Sequence, residues 1–152
     1  MVAAPIGGIV VDSVSRVLRS EIMSRVLSKN TRPEMVVRRM LHRAGYRYRL
    51  HRTDLPGKPD LVFIARKKVI FVHGCFWHMH EGCAQARMPK SRVEFWAKKL
   101  LSNKERDARN IAELEHLGWR VMVVWECDLR RTELLEQMRQ FLDDCCGTVE
   151  CL

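Results

Sequence analysis

The chain has 152 residues, of which 47% are hydrophobic, and this length and composition suit one domain with a continuous core. Its 27 lysine and arginine residues outnumber 18 aspartate and glutamate residues, and the formal net charge of +9 favours a polyanionic partner such as nucleic acid. The apolar stretch before residue 12 lacks a basic beginning and is interrupted by proline and glycine, so it predicts neither a signal peptide nor a membrane span.

The domain organisation follows from these properties. We expect residues 1–14 to form a flexible leader, residues 15–143 a single domain, and residues 144–152 a C-terminal tail. The tail contains Cys145, Cys146 and Cys151, for which the sequence suggests no role beyond reduced thiols. The chain is expected to be cytoplasmic.

Two helices are predicted near the amino end. Apolar residues recur at helical spacing among arginine and serine over residues 15–28, which predicts an amphipathic helix whose basic face could lie along a DNA backbone. The second helix begins with a capping box, in which Thr31 is the N-cap and Glu34 reaches back from the first turn. It ends at Gly45.

Three strands are predicted next. Bulky and basic side chains alternate over residues 46–50, which indicates a half-exposed strand. Two apolar runs, residues 60–64 and 69–73, are joined by a short basic connection and predict a hairpin. Residues 84–91 predict a loop.

A long helix follows the loop. Apolar residues recur along it from Phe95 to Leu117, and Gly118 ends it. Asp107 is expected on its exposed polar face, among lysine and arginine side chains.

The last two elements decide the fold class. Residues 119–125 predict a mostly buried strand, and apolar residues over 134–142 predict a closing helix. Because a helix connects the strand at residues 69–73 to the strand at 119–125, these two strands can pair in parallel. We therefore predict an α/β fold, with a mixed central β-sheet flanked by helices on both faces.

Cysteine and histidine residues are dense after the hairpin. Cys75, His80 and Cys83 share one loop, and Cys127 follows the strand at residues 119–125. Tetrahedral zinc takes such a mixture of thiolate and imidazole ligands, and a site with four protein ligands is closed and structural. The pattern predicts a zinc ion that joins the loop to the last strand. The alternative is that the cysteines are small core residues and His80 is a surface side chain.

A second candidate site begins at Asp60, which opens a predicted strand. Mg²⁺ binds one or two carboxylates together with substrate phosphates, so Asp60 could begin such a site. His73 and His78 flank the same edge, and histidine can take a proton from an attacking water or give one to a leaving oxygen. Taken alone, Asp60 is better explained as a turn-capping aspartate. The two histidines favour catalysis.

Large aromatic side chains accompany these residues. Phe76 and Trp77 lie beside the histidines, and Trp96 begins the long helix. Such side chains can wedge between base steps of a duplex, or they can pack beneath the zinc loop. Trp119 and Trp125 are expected in the core.

Several short segments together are typical of one known family. They are LPGKPD at residues 55–60, HGCFWH at 73–78, EFW at 94–96, Asn103 with ERD at 105–107, and LGWRV at 117–121 leading to WEC at 125–127. On these segments the chain resembles the very-short-patch mismatch repair endonuclease (Vsr) family. The resemblance runs from about the first helix to the strand before the last helix.

The resemblance implies a fold and an activity. The family has a restriction-endonuclease-like fold related to the PD-(D/E)XK nucleases, and it nicks one DNA strand on the 5′ side of the thymine in a T:G mismatch left by deamination of 5-methylcytosine. By resemblance, Asp60 is the main Mg²⁺ ligand, and the backbone carbonyl of Val72 is another. His78 is the base, supported by Asp107.

The resemblance also implies the remaining site residues. His73 and Glu34 complete the catalytic site, although the capping box explains Glu34 without catalysis. The zinc ligands are the four named above, with one more residue between His80 and Cys83 than in the family pattern. The three aromatic side chains would enter the DNA beside the mismatch, and Met23 would reach the duplex from the other groove.

The leading expectation is an Mg²⁺-dependent, zinc-stabilised endonuclease. Its partner would be double-stranded DNA with a T:G mismatch, and it would act as a monomer at the nucleoid, alongside other mismatch-repair proteins and without a membrane. Two alternatives stay open. One is a restriction-like nuclease with another target, and the other is a zinc-stapled DNA-binding module without catalysis.

Overall fold

The computed structural model describes residues 29–144 of the chain, which contain three α-helices and four strands. Their bounds are α1 Arg32–Arg43, β1 Arg49–Leu50, β2 Leu61–Phe63, β3 Lys68–His73, α2 Val93–His116, β4 Arg120–Trp125 and α3 Leu134–Asp143. Among these helices, none is both long and apolar enough to cross a membrane. The predicted helix at residues 15–28, which contains Met23, and the cysteines at 145, 146 and 151 lie outside the described residues.

The four strands form one mixed sheet in the order β1-β2-β3-β4. β1 pairs antiparallel with β2, and β2 pairs antiparallel with β3, which confirms the predicted hairpin. β3 and β4 are parallel, with His73 opposite Trp125 at their carboxyl ends, and α2 is the connection between them. The predicted mixed α/β sheet is therefore confirmed.

Helices cover both faces of the sheet because its strands are apolar on both. On one face, α1 and α3 bury a cluster made of Val37, Leu41, Leu61, Phe63, Ile70, Val124, Leu134, Met138 and Leu142. On the other face, α2 packs with Leu114 against Val62, Val69 and Phe71. α2 also reaches the loop after β3, where the side chain of Asn103 donates to the carbonyl of Trp77 at 3.1 Å.

Glycine ends two of the helices as predicted. Gly45 has a φ of 93°, and the N–H of Tyr46 donates to the carbonyl of Leu41 at 3.0 Å, which closes α1 with a Schellman motif. Gly118, with a φ of 78°, ends α2 in the same way. These left-handed positions fix the direction in which the chain leaves each helix.

The predicted capping box at the start of α1 is only half formed. The hydroxyl of Thr31 accepts from the N–H of Glu34 at 3.4 Å. The side chain of Glu34, only 1% exposed, contacts Arg38 and His51 in place of reaching back to Thr31. The prediction was wrong for the carboxylate because two basic partners draw it towards the interior.

Two strand predictions need correction. The strand expected at residues 46–50 pairs only over Arg49–Leu50, opposite Val62 and Leu61 of β2. The side chain of Tyr48 packs against the ring of Phe63 instead, at 5.9 Å between centroids. β4 was expected to be mostly buried, but only Val124 is fully buried, since this strand forms an edge of the sheet.

Gly57 offers a test of how the loop before β2 packs on α2. Its φ is 69°, and a Cβ there would lie 2.9 Å from the side-chain nitrogen of Asn110. We predict that Gly57→Ala lowers the free energy of unfolding by about 2 to 4 kcal/mol, combining a left-handed backbone cost with overpacking. Urea unfolding measures this loss.

Gly45→Ala is the matched control, because Gly45 also has positive φ but a Cβ there meets nothing within 4 Å. It should show only the backbone cost, about 1 to 2 kcal/mol. Adding Asn110→Ala should recover part of the additional loss, because it removes the amide nitrogen at 2.9 Å but keeps the Cβ of residue 110 at 3.0 Å. Equal losses in the two single variants would contradict the packing argument.

Candidate functional site

One cleft of about 1030 Å³ opens between the start of α1, the loop before β2, the end of β3 and the middle of α2. Its acidic and imidazole side chains are Glu34, His51, Asp60, His73, His78, Asp107 and Glu126. Its basic side chains are Lys29, Arg32, Lys58 and Arg106. The cleft thus combines groups that transfer protons or bind cations with positive charges that attract an anionic ligand.

Asp60 lies in this cleft at the start of β2. One of its carboxylate oxygens accepts a hydrogen bond from the backbone N–H of Val72, on β3, at 2.7 Å. Burial is the main cause that raises the pKa of Asp60 to about 6. The charge of Glu34 raises it further, and the hydrogen bond from Val72 opposes the shift. The carboxylate therefore contacts the neighbouring strand, whereas a turn-capping aspartate would bond to its own turn.

Glu34 and His51 stand next to Asp60. Oε1 of Glu34 lies 3.3 Å from a guanidinium nitrogen of Arg38 and 3.0 Å from Nε2 of His51. Nδ1 of His51 lies 3.9 Å from Oδ1 of Asp60. One ligand atom from each of Glu34, His51 and Asp60 lies within 4.8 Å of the others, so the three could bind a cation together.

Two histidines form the second group in the cleft. The rings of His73 and His78 are stacked, with centroids 3.8 Å apart and planes inclined by 7°. Nδ1 of His78 lies 2.5 Å from Oδ2 of Asp107. Burial, followed by the neighbouring His78, lowers the pKa of His73 to about 4, so His73 is neutral at pH 7.

The position of Asp107 corrects the expectation drawn from the helix pattern. Its side chain is 18% exposed and faces the cleft, although it was expected on the polar outer face of the long helix. Asp107 is seven residues before the fully buried Leu114, which places both on one face of α2. Helical spacing from Leu114 was the signal in the sequence that could have identified it.

Cys75, His80, Cys83 and Cys127 form a third group, as the sequence predicted. Each offers a ligand atom within 4.8 Å of the others. Nδ1 of His80 lies 3.6 Å from the sulfur of Cys75 and 3.3 Å from that of Cys127. In a tetrahedral zinc site, sulfur and nitrogen ligands are roughly 3.6 Å apart, so the spacing fits zinc. A turn closed by the Cys83 N–H and the His80 carbonyl accommodates the additional residue between them.

The thiols of this group sit close enough to perturb one another. Burial is the main cause that raises the pKa of Cys127 to about 12, and the neighbouring sulfurs of Cys75 and Cys83 raise it further. Three thiolates in one place repel each other, and a bound cation relieves that repulsion. The donor set therefore fits a metal ion that prefers sulfur and nitrogen.

The aromatic side chains pack together beside the cleft. The ring of Phe76 lies 5.1 Å from that of Trp77 and 5.5 Å from that of Trp96. All three are half-buried, and Trp77 lines the cleft. They pack against one another and also keep exposed surface, so both interpretations of these residues find support in the contacts.

The structure gathers most of the predicted site residues. Asp60, Glu34, His73, His78 and Asp107 share one cleft, and the four cysteine and histidine residues form a separate cluster. Met23 lies outside the described residues. The sequence analysis missed His51, whose only signal was a histidine directly after the strand at residues 46–50.

A mixed α/β domain with carboxylates, imidazoles and basic side chains in one cleft has the features of a DNA-cleaving hydrolase. Comparison with known proteins defines it further: the family model described as DNA mismatch endonuclease Vsr matches residues 11–85. The chain belongs to the Vsr family of DNA endonucleases, as the resemblance predicted.

Three relatives illustrate the similarity. The chain is 53% identical over 133 residues to the type II nicking enzyme V.XorIIP of Xanthomonas oryzae, covering 87% of this chain and 97% of the relative. It is 44% identical over 119 residues to the type II nicking enzyme V.NmeAIP of Neisseria meningitidis, covering 78% and 84%. It is 42% identical over 124 residues to the DNA mismatch endonuclease Vsr of Escherichia coli, covering 82% and 79%.

Asp60 and His73 should make opposite contributions to the pH dependence of stability. The folded pKa of His73, about 4, lies below its ordinary value of 6.5, so its contribution is present above pH 6.5 and is lost as the pH falls through 4. The folded pKa of Asp60, about 6, lies above 3.8, so its contribution is present below pH 3.8 and is lost as the pH rises through 6.

We predict that substitution of either residue unmasks the other. For Asp60→Asn, the free energy of unfolding minus that of wild type should rise by about 3 kcal/mol from pH 4 to pH 7. For His73→Gln, the same difference should fall by about 3 kcal/mol over this range. Urea unfolding at both pH values, without added Mg²⁺, measures the difference. Asp54→Asn, an exposed residue of the same loop, is the control. Parallel behaviour of all three variants would contradict the prediction.

Proposed function

We propose that the protein nicks one strand of duplex DNA on the 5′ side of the thymine in a T:G mismatch, by Mg²⁺-dependent hydrolysis of a phosphodiester bond. One observation carries the proposal: Asp60, His73 and the His78–Asp107 pair converge in a cleft whose rim is basic. A DNA-binding module without catalysis would need none of these three groups. Their convergence therefore favours the enzyme.

The cleft fits a divalent cation at Asp60. Burial disfavours the bare carboxylate, as its raised pKa indicates, and a cation would compensate the buried charge. We propose Asp60 and the backbone carbonyl of Val72 as the Mg²⁺ ligands. When bound, Mg²⁺ would stabilise the negative charge that develops on the reacting phosphate.

His78 is the proposed general base. Asp107 accepts the N–H at Nδ1 of His78, which leaves the lone pair on Nε2 free to take a proton from the attacking water. His73 stays neutral and stacks on His78, so it restricts the ring without adding charge beside the cation site. Glu34 completes the acidic side of the cleft. We propose these four residues, together with Asp60, as the catalytic set.

The cluster of Cys75, His80, Cys83 and Cys127 is proposed to hold a structural Zn²⁺ ion. Four protein ligands leave no open position for substrate, which is the arrangement of structural zinc sites. The ion would tie the loop after β3 to the end of β4, and the loop carries His78, Phe76 and Trp77. Zinc would thereby hold the base and the aromatic side chains in place.

The proposed substrate is double-stranded DNA. Phe76, Trp77 and Trp96, which keep exposed surface next to the cleft, are proposed to enter the duplex beside the mismatch, and Met23 to reach it from the other groove. We further propose residues 15–143 as one endonuclease domain that acts as a monomer in the cytoplasm, together with other mismatch-repair proteins.

A second candidate is nicking at a target other than T:G. Two of the relatives described above bear the name type II nicking enzyme, which leaves the target base pair open. A nicking assay over all mismatches, in several flanking sequences, separates the two candidates. Preference for T:G supports the first, and equal or stronger nicking elsewhere supports the second.

The catalytic role of Asp60 has a direct test. With Mg²⁺, wild-type protein should nick a T:G duplex, and Asp60→Ala should lose at least about 10³-fold in rate, because the buried cation ligand is gone. Asp54→Ala, an exposed residue of the same loop, should keep the wild-type rate. Equal activity of wild type and Asp60→Ala would refute the assignment, and activity that persists in EDTA would refute the metal requirement.

The zinc assignment is tested by metal analysis of purified protein. We expect about one zinc per chain in wild type, and Cys127→Ser should lose most of it because a hydroxyl is a poor zinc ligand. Cys151→Ser, which removes a thiol that is not one of the four proposed ligands, should keep the metal. Unchanged zinc content in Cys127→Ser would contradict the proposed site.

A further inference from the structure

His51 occupies an unusual backbone conformation next to the cleft. Its φ is 46°, in the left-handed region, which costs a side chain with a Cβ about 1 to 2 kcal/mol. The side chain is only 15% exposed and points towards the carboxylates of Glu34 and Asp60. Strained positions of this kind persist where the surroundings require them, and they cluster at functional sites.

The imidazole stands between two carboxylates that would otherwise repel each other. Nε2 of His51 lies 3.0 Å from Oε1 of Glu34, and Nδ1 lies 3.9 Å from Oδ1 of Asp60. Nε2 is buried, and Glu34 is within ion-pair distance although the contact does not have hydrogen-bond geometry. Each ring nitrogen thus faces one carboxylate.

Each carboxylate also has a second partner. The N–H of Val72 donates to Oδ2 of Asp60 at 2.7 Å, which leaves Oδ1 turned towards His51. A guanidinium nitrogen of Arg38 lies 3.3 Å from Oε1 of Glu34. His51 is therefore the shared element between two anchored carboxylates. It also lowers the pKa of Asp60, opposing the effect of Glu34.

We propose that His51 is a positioning residue of the nuclease site, which stands between Glu34 and Asp60 and thereby holds the carboxylate of Asp60 in the arrangement that binds the divalent cation. This inference rests on the proposed metal-dependent function. Without the imidazole, repulsion between the two carboxylates moves Asp60 out of this arrangement. This displacement weakens cation binding and leaves the DNA-contacting surface as it is.

His51→Asn removes the imidazole without adding strain at the left-handed backbone position. Asparagine tolerates positive φ better than most residues, so the backbone should keep its conformation, but its side chain is too short to stand between the carboxylates. His51→Gln is the conservative variant, because its longer side chain brings an amide N–H towards Glu34. His42→Ala removes an exposed histidine of α1 and is the control.

The first measurement is Mn²⁺ binding by the free protein, followed by electron paramagnetic resonance without DNA. His51→Asn should weaken binding about tenfold, the loss of one charge-assisted contact, and His51→Gln should restore it to within about threefold. Urea unfolding should show that both variants remain folded under the conditions of this measurement. This readout does not depend on nicking, so it stands even if the proposed DNA substrate is wrong.

The second measurement is nicking as a function of Mg²⁺ concentration. His51→Asn should need about tenfold more Mg²⁺ for half-maximal rate and should bind duplex DNA in metal-free buffer as tightly as wild type. Wild-type Mn²⁺ affinity in His51→Asn would overturn the proposal. Weakened DNA binding by His51→Asn would also overturn it. Weaker Mn²⁺ binding with an unchanged Mg²⁺ dependence of nicking would overturn it as well, because His51 would then be a direct nitrogen ligand. Failure of wild type to nick any duplex would refute the proposed function alone.

Discussion

The parallel pairing of β3 with β4 is the constraint on which the two metal-ligand groups depend. Its register sets His73 opposite Trp125, and both strands end there. Cys75 and Cys127 follow each strand at the same distance, so the pairing brings the two sulfurs together across 52 positions of sequence. The hairpin of β2 and β3 adds Asp60 beside Val72. A shift of the β3–β4 register by one residue would separate His73 from Trp125 and Cys75 from Cys127.

Trp125 joins the two groups physically. Its ring stacks on His80, at 4.1 Å between centroids, and meets the ring of His73 edge-on at 5.4 Å. The cysteine and histidine cluster and the paired histidines of the cleft therefore share one aromatic wall. Loop residues 74–83 alternate between the two sides of this wall. His78 turns to the cleft, and Cys75, His80 and Cys83 turn to the cluster.

Local pattern predicted the parts of the fold that depend on neighbours in sequence. Both helix-ending glycines, the hairpin and the crossover were correct because turn chemistry and strand period are local properties. The length of β1 and the exposure of β4 were wrong, since they depend on where each strand lies in the sheet and not on its own residues. Glu34 shows the same limit. Its capping role was visible from Thr31, but its contacts with Arg38 and His51 depend on the packing of α1 against the loop before β2.

The residues of the candidate site that are close in sequence could be predicted, and those that depend on which face of a helix is buried could not. The cysteine and histidine residues of one loop could be grouped by spacing, whereas Asp107 came only from family resemblance. Yet Asn103, Asp107, Asn110 and Leu114 recur every three or four residues. Asn103 contacts the carbonyl of Trp77, and Asp107 contacts the ring of His78. Asn110 lies against the loop at Gly57, and Leu114 is in the core. Once one position of this stripe is known to be buried, the helical period assigns the rest to the same side. Polar residues on the same face of a helix as a buried apolar residue are therefore better candidates for a site than charged residues on its other faces. A buried polar side chain without a partner would be costly, so such a residue is expected to have one.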